Sequence, residues 1–175
     1  MTSARHVVLI GLMASGKSTV GRLLAVRLDR PFVDNDEVLV AHTGMSAREL
    51  ATAQGADVLH RREAEALVDA LGSPVPAVIA AAAAAPLEPV AAGPMTGQDL
   101  VYLRAAPEVL ADRLRRSPDD GHRPFVADDA RAVIEAQFAA RDDRYRALAT
   151  LIVDASLDAA SVVDEISSAL GRWAL

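Results

Sequence analysis

Eight residues near the start of the chain have types and spacing suited to phosphate binding. They are Gly11-Leu12-Met13-Ala14-Ser15-Gly16-Lys17-Ser18: a glycine, four residues, then Gly-Lys-Ser. Successive backbone N–H groups in such a loop can wrap an oxyanion, and the N-terminus of a following helix adds a favourable field. The spacing predicts that Gly11, Ala14, Ser15, Gly16, Lys17, Ser18 and Thr19 hold a nucleoside triphosphate. Lys17 would reach the terminal phosphates and the Ser18 hydroxyl would ligate Mg²⁺. Lys17 is also the only lysine among 18 basic residues. A chain that uses arginine everywhere else keeps lysine where a compact ammonium is needed rather than a planar guanidinium.

Two carboxylates, Asp34 and Asp36, follow the short apolar pair Phe32-Val33. Open α/β sheets place ligand chemistry at the carboxyl ends of their strands. A strand that persists to Asp36 would point both side chains the same way, and an aspartate there can orient or accept a hydroxyl proton. The alternative is an Asx turn or a helix cap, where Asp and Asn are common. His60 and Glu63 stand three apart in a helical stretch, so the carboxylate can keep the imidazole protonated. That pair can serve a ligand or be purely structural.

These groups need a scaffold, and the periodicity supplies one. Val7 to Ile10 reads as a buried parallel strand and about Gly16 to Leu28 as a helix. Phe32-Val33, Ala77 to Ala80, Leu100 to Leu103 and Leu151 to Val153 read as four more strands. Ser46 and Glu49 have capping-box spacing and start a helix that Gly55 breaks. Further helices are expected over about 57–71, 107–115, 130–149 and 158–170, with a polar loop over 117–129. Strands alternating with helices predict a single-domain α/β fold: three layers, with a five-stranded parallel sheet covered on both faces. Residues 74–94 are low in complexity but sit inside this alternation.

The 175 residues are enough for one core, and 51% apolar against 24% charged residues argues against disorder. A net charge of −6 argues against nucleic acid or an anionic membrane as partner. No cysteine is present, and no uninterrupted apolar run is long enough to span a bilayer. No signal-peptide pattern opens the chain, so a soluble cytoplasmic protein is expected, acting as a monomer on a small molecule.

The segments GLMASGKSTVGRLLAVRL (11–28), FVDND (32–36), Arg123-Pro124 in the polar loop, Arg141-x-x-x-Tyr145 and IVDAS (152–156) occur in that order. Together they resemble the shikimate kinase family over nearly the whole chain. The resemblance implies a P-loop kinase fold using ATP and Mg²⁺. It implies a substrate-binding region over about 34–63 and a lid over about 115–129. It also implies that Asp34 holds Mg²⁺ through water and that Asp36 contacts the acceptor hydroxyl. Arg123 of the lid would reach over the transferring phosphate, Arg113 would lie against adenine, and Arg141 would bind the acceptor's carboxylate. Arg115 and Arg116 read as solvated, and Arg144 and Arg146 allow Arg141 to be part of a charged helix face.

Three features depart from the family pattern. Alanines 80–85 replace a glycine triplet, so that loop should take another shape and its pocket should shrink or vanish. Leu59-His60 stands where the family has Phe-Arg, which removes a second carboxylate ligand. Ala14 replaces a glycine, at a position the general motif leaves free. The nucleotide half is kept and the acceptor half altered. Expected is phosphoryl transfer to a hydroxyl of shikimate or a related cyclic polyol or sugar acid. The alternative is a nucleotide-binding paralogue without efficient acceptor chemistry.

Overall fold

The computed structural model describes residues 5–116 and 130–173. Five parallel strands form one sheet in the order β2-β3-β1-β4-β5. They are β1 (Val7–Ile10), β2 (Phe32–Asp34), β3 (Val78–Ala80), β4 (Asp99–Arg104) and β5 (Leu151–Asp154). All four β1 residues are fully buried, although alternate side chains point to opposite faces. The sheet centre is therefore covered on both sides, which the unbroken apolar run Val7-Val8-Leu9-Ile10 requires.

Helix α1 (Lys17–Leu28) follows β1 and buries Val20 and Leu24. After β2 come α2 (Asn35–Thr43), α3 (Ala47–Gln54) and α4 (Ala56–Leu71). Ser46 caps α3 in the expected reciprocal box with Glu49. Leu39, Ala47, Leu50 and Leu59 from these three helices form a small apolar cluster separate from the main core. A 3₁₀ turn (Ala85–Leu87) and α5 (Pro89–Met95) lead from β3 to β4. Helices α6 (Pro107–Arg116), α7 (Ala130–Leu148) and α8 (Ala159–Trp173) complete the described chain. Among the described residues, no helix is long and apolar enough to cross a membrane.

Three points bear on the sequence expectation. The second strand ends at Asp34, as expected, and the helix-cap alternative holds there: the Asp34 side chain accepts from the Asp36 amide at 3.2 Å and caps α2. The low-complexity stretch holds α5, which begins at Pro89 and contains Pro94. Arg115 and Arg116 continue α6, while the rest of the expected lid, Arg123 included, lies outside the described residues.

Candidate active site

Strand register sets the site. Asp34 is level with Ala80 and Ala80 with Leu9, while Ile10 is level with Tyr102. The carboxyl ends of β2, β3, β1 and β4 thus form one edge, where a parallel sheet leaves room for a ligand.

The loop between β1 and α1 has a backbone only partly open to side chains. Gly11 has φ 147°, and a Cβ there would sit 2.8 Å from the Leu103 carbonyl oxygen. Gly16, with φ 91°, is the N-cap of α1. Ala14 has φ 61°, a left-handed conformation that costs an L-residue roughly 1–2 kcal/mol. The motif spacing leaves position 14 free, but the backbone does not. Lys17 Nζ donates to the carbonyls of Gly11 and Leu12 at 2.8 and 2.9 Å, so the ammonium closes the loop from within. Burial pulls Lys17 down to about 8, against the raising charges of Asp36, Asp34 and Glu63. The first N–H groups of α1 have no intrahelical partner and are available to an anion. Ser15 Oγ is buried with no hydrogen-bond partner among the described residues.

Ser18 Oγ donates to Asp34 Oδ2 at 2.8 Å. Asp34 is therefore both the α2 cap and the partner of the loop serine, so the two readings of this aspartate are compatible. The Ser18–Asp34 pair provides two hard oxygens beside a phosphate cradle, a donor set that fits Mg²⁺ completed by water and phosphate oxygens. Gly11 to Lys17 fit a triphosphate by shape and charge.

A cavity of about 670 Å³ runs from this loop to the acceptor-side residues. Asp36, on the first turn of α2, lines it together with His60 and Glu63 of α4. Arg113 and Arg116 of α6 line it as well, as does Arg141 of α7. Arg113 also donates to the Ser156 carbonyl at 3.3 Å. Arg115 and Arg116 are solvent-exposed, as expected, although Arg116 also lines the cavity and pairs with Asp112 at 2.9 Å. Arg144 is not merely part of a charged face, because it donates to the Leu87 carbonyl at 2.8 Å.

The alanine run does not close the pocket. Ala80 to Ala84 all line the cavity, which overturns the expectation that it vanishes. Among the described residues, none of these alanines has positive φ, and Ala84 is right-handed helical at φ −85°. The Tyr145 hydroxyl donates to the Ala83 carbonyl and pins the run from α7. Arg141 lies within electrostatic reach of the same Tyr145 side chain.

His60 and Glu63 do not form the expected pair. No hydrogen bond or ion pair joins them among the described residues. Burial, then the nearby Arg141 charge, lowers the imidazole pKa and favours its neutral form. Glu63 is 6% exposed; burial, then Asp36, pushes its carboxyl up to about 8. The buried carboxyl is a site feature that sequence reading treated only as a histidine partner. A second feature, a network around Asp142, carried no local signal. Asp142 accepts from the Tyr102 hydroxyl at 2.8 Å and from Arg104 at 2.8 and 3.1 Å.

Comparison with known proteins agrees with this geometry. The family model for shikimate kinase matches residues 13–171. A shikimate kinase of Dechloromonas aromatica is 36% identical over 155 residues, covering 87% of this chain and 82% of the relative. The structure of a shikimate kinase from Aquifex aeolicus superposes with TM-score 0.80 at 29% identity, covering 97% and 98% of the two chains. A shikimate kinase from Acinetobacter baumannii, solved in complex with shikimate, shares the fold with TM-score 0.88 at 24% identity, covering 97% and 94%. A match over nearly all of the described scaffold, together with the phosphate loop and the Asp34–Asp36 edge, places this chain in the shikimate kinase family.

Proposed function

We propose that this protein transfers the γ-phosphoryl group of ATP to a hydroxyl of shikimate, with Mg²⁺ as the required cation. The observation that carries this reading is that Lys17, Asp36 and Arg141 line one cavity. Phosphoryl transfer is mainly positioning plus charge neutralisation, and these residues are suited to both.

Bound ATP supplies the transferable group. The loop amides and Lys17 hold its phosphates, while Ser18 and Asp34 hold the cation. Arg113 flanks the adenine. Asp36 orients the acceptor hydroxyl and takes its proton, and Arg141 holds the acceptor carboxylate. Arg123 is assigned over the transferring phosphate by family resemblance alone. His60, largely neutral, offers the carboxylate an N–H in place of a second guanidinium. Residues 34–63 act as the substrate-binding region, and about 115–129 as the lid.

The test is a coupled ADP-release assay with shikimate, quinate, gluconate, cyclitols and nucleoside monophosphates. Shikimate is expected to give the highest kcat/KM, and Lys17→Ala to abolish turnover. Preference for a neutral cyclitol would transfer the reading to a polyol kinase. Tight ATP binding without turnover of any acceptor would establish the nucleotide-binding paralogue instead.

A further inference from the structure

Asn35 is the first residue of α2, fully buried, and stands in sequence between the two site carboxylates Asp34 and Asp36. Its side chain crosses to another helix: Nδ2 donates to the Glu63 carbonyl of α4 at 3.1 Å. The opposite amide orientation would set two oxygens face to face, so the direction of the bond is fixed. Asn35 and Leu39 stand four apart and form the buried face of α2. Leu39 holds that face by apolar packing with Ala47, Leu50 and Leu59, which is non-directional. The Asn35 bond is directional and sets the roll of the helix. Asp36 follows about 100° around the axis and lines the cavity.

Stability alone does not call for an amide here. The Glu63 carbonyl lies inside α4 and already accepts from the helix ladder, so Asn35 adds a second bond to it. Asn35 Oδ1 is buried with no hydrogen-bond partner among the described residues, which is destabilising. A leucine has a similar branched shape, would continue the Leu39 face and would leave no polar side-chain atom unpaired. Asp34 does not depend on the bond either. It pairs with Ala80 in the sheet register and accepts from Ser18. What the bond holds is the first turn of α2, which carries Asp36.

We propose that Asn35 is a positioning residue for phosphoryl transfer: its bond to the Glu63 carbonyl fixes the first turn of α2 so that the Asp36 carboxylate meets the acceptor hydroxyl. The inference rests on the assignment of Asp36 to that hydroxyl. Misplacing a reacting group by about 1 Å costs about 10²-fold, and a turn that is loosened rather than displaced should lose about ten-fold.

The experiment measures initial rates with shikimate and Tm for wild type, Asn35→Leu, Asn35→Ala, Asp36→Asn, and each Asn35 variant combined with Asp36→Asn. Both Asn35 variants are expected to lower kcat about ten-fold, with KM for ATP and the Mg²⁺ requirement within about two-fold of wild type. Asn35→Leu should keep or raise Tm, because the unpaired oxygen is gone, while Asn35→Ala should lower it by leaving a cavity. Activity and stability thus part company. In the Asp36→Asn background either Asn35 change should cost less than about two-fold more, because Asn35 acts through Asp36. Asn35→Ala carries the same cycle if leucine proves too large to fold. Unchanged kcat in both Asn35 variants would overturn the inference. So would a kcat that merely follows Tm, or the full ten-fold loss repeated in the Asp36→Asn background. An Asp36→Asn variant at the wild-type rate would overturn the Asp36 assignment, and this inference with it. The other adverse outcomes, with Asp36→Asn slow, would overturn this inference alone.

Discussion

His60→Arg tests how the acceptor half works. His60 lies within electrostatic reach of Arg141, and Glu63, one turn further along α4, is pushed up to about 8 by burial and by Asp36. At pH 7 that carboxyl is mostly protonated, so the wild-type acceptor site presents Arg141 as its main positive group. An arginine at position 60 gives the bound carboxylate a second charged donor and gives Glu63 a cation to ionise against. A hydrogen bond to a charged group is worth about 1.5–3 kcal/mol, a factor of about 10 to 150. Two guanidinium groups about 6 Å apart repel by about 3 kcal/mol at an effective dielectric constant of about 20. That repulsion destabilises the empty site and is relieved by the bound carboxylate and by an ionised Glu63, so it reinforces binding. The expected net effect is a KM for shikimate lower by about one decade, with kcat little changed. The ligand-free Tm should fall, and the shift on adding shikimate should grow. Initial rates in an ADP-release assay, run with shikimate and with its uncharged carboxamide, check this. The carboxamide KM should stay within about two-fold of wild type, because it lacks the charge that distinguishes the two sites. Equal improvement for both acceptors, or none for either, would refute the reasoning.

Other consequences follow from the same geometry. The native state holds the Glu63 proton up to about 8 while the unfolded chain releases it near 4.5, so Glu63 makes native stability fall as pH rises through that window. Glu63→Gln should flatten that fall in urea midpoints between pH 5 and 8, and parallel profiles for the two proteins would contradict it. Lys17 acts with the opposite slope above pH 8: the native state gives up its proton at about 8, against 10.5 unfolded. Ala14→Gly removes a left-handed alanine costing about 1–2 kcal/mol but restores about 0.5–1 kcal/mol of unfolded-chain entropy. A small rise in Tm with unchanged ATP affinity is expected, and a lowered Tm would count against the strained backbone. Asp142→Ala strands the Tyr102 hydroxyl and frees Arg104, whose side chain is 40% exposed. After discounting for that solvent screening, a loss of about 2 kcal/mol and a Tm drop of about 4–8 °C are expected by calorimetry.

The parts of the fold legible in the sequence are those where one local cause suffices. Val7 to Ile10 could only be a doubly covered strand, and Gly16-Lys17-Ser18 could only follow it into a helix. Ser46 and Glu49 announced their own cap. Asp34 was legible as a possible helix cap, but helix α2 behind it was hidden, because Asn35 begins the helix directly after the strand with no connecting loop. Helix α5 was hidden because Ala, Pro and Gly give no apolar contrast and Pro94 speaks against a helix. The open pocket beside the alanine run depends on Tyr145 reaching Ala83 across 62 residues. The Tyr102–Arg104–Asp142 network likewise joins α7 to a strand 38 to 40 residues earlier. Such pairings exist only once the sheet has formed. Glu63 belongs with them: its carboxyl is raised by burial, which no spacing rule reports.

The central claim is that Lys17, Asp36 and Arg141 bound a single space in which a phosphoryl group passes from ATP to a hydroxyl. The most direct measurement is ³¹P NMR of the protein with Mg²⁺, ATP and shikimate, followed in time beside the Asp36→Asn variant. Wild type should convert the γ-phosphate resonance into a phosphomonoester of shikimate, one for each ADP formed. The variant should bind ATP with similar affinity but form ester at least about 100-fold more slowly. ADP appearing only with inorganic phosphate, or an Asp36→Asn variant that forms the ester at the wild-type rate, would contradict the account.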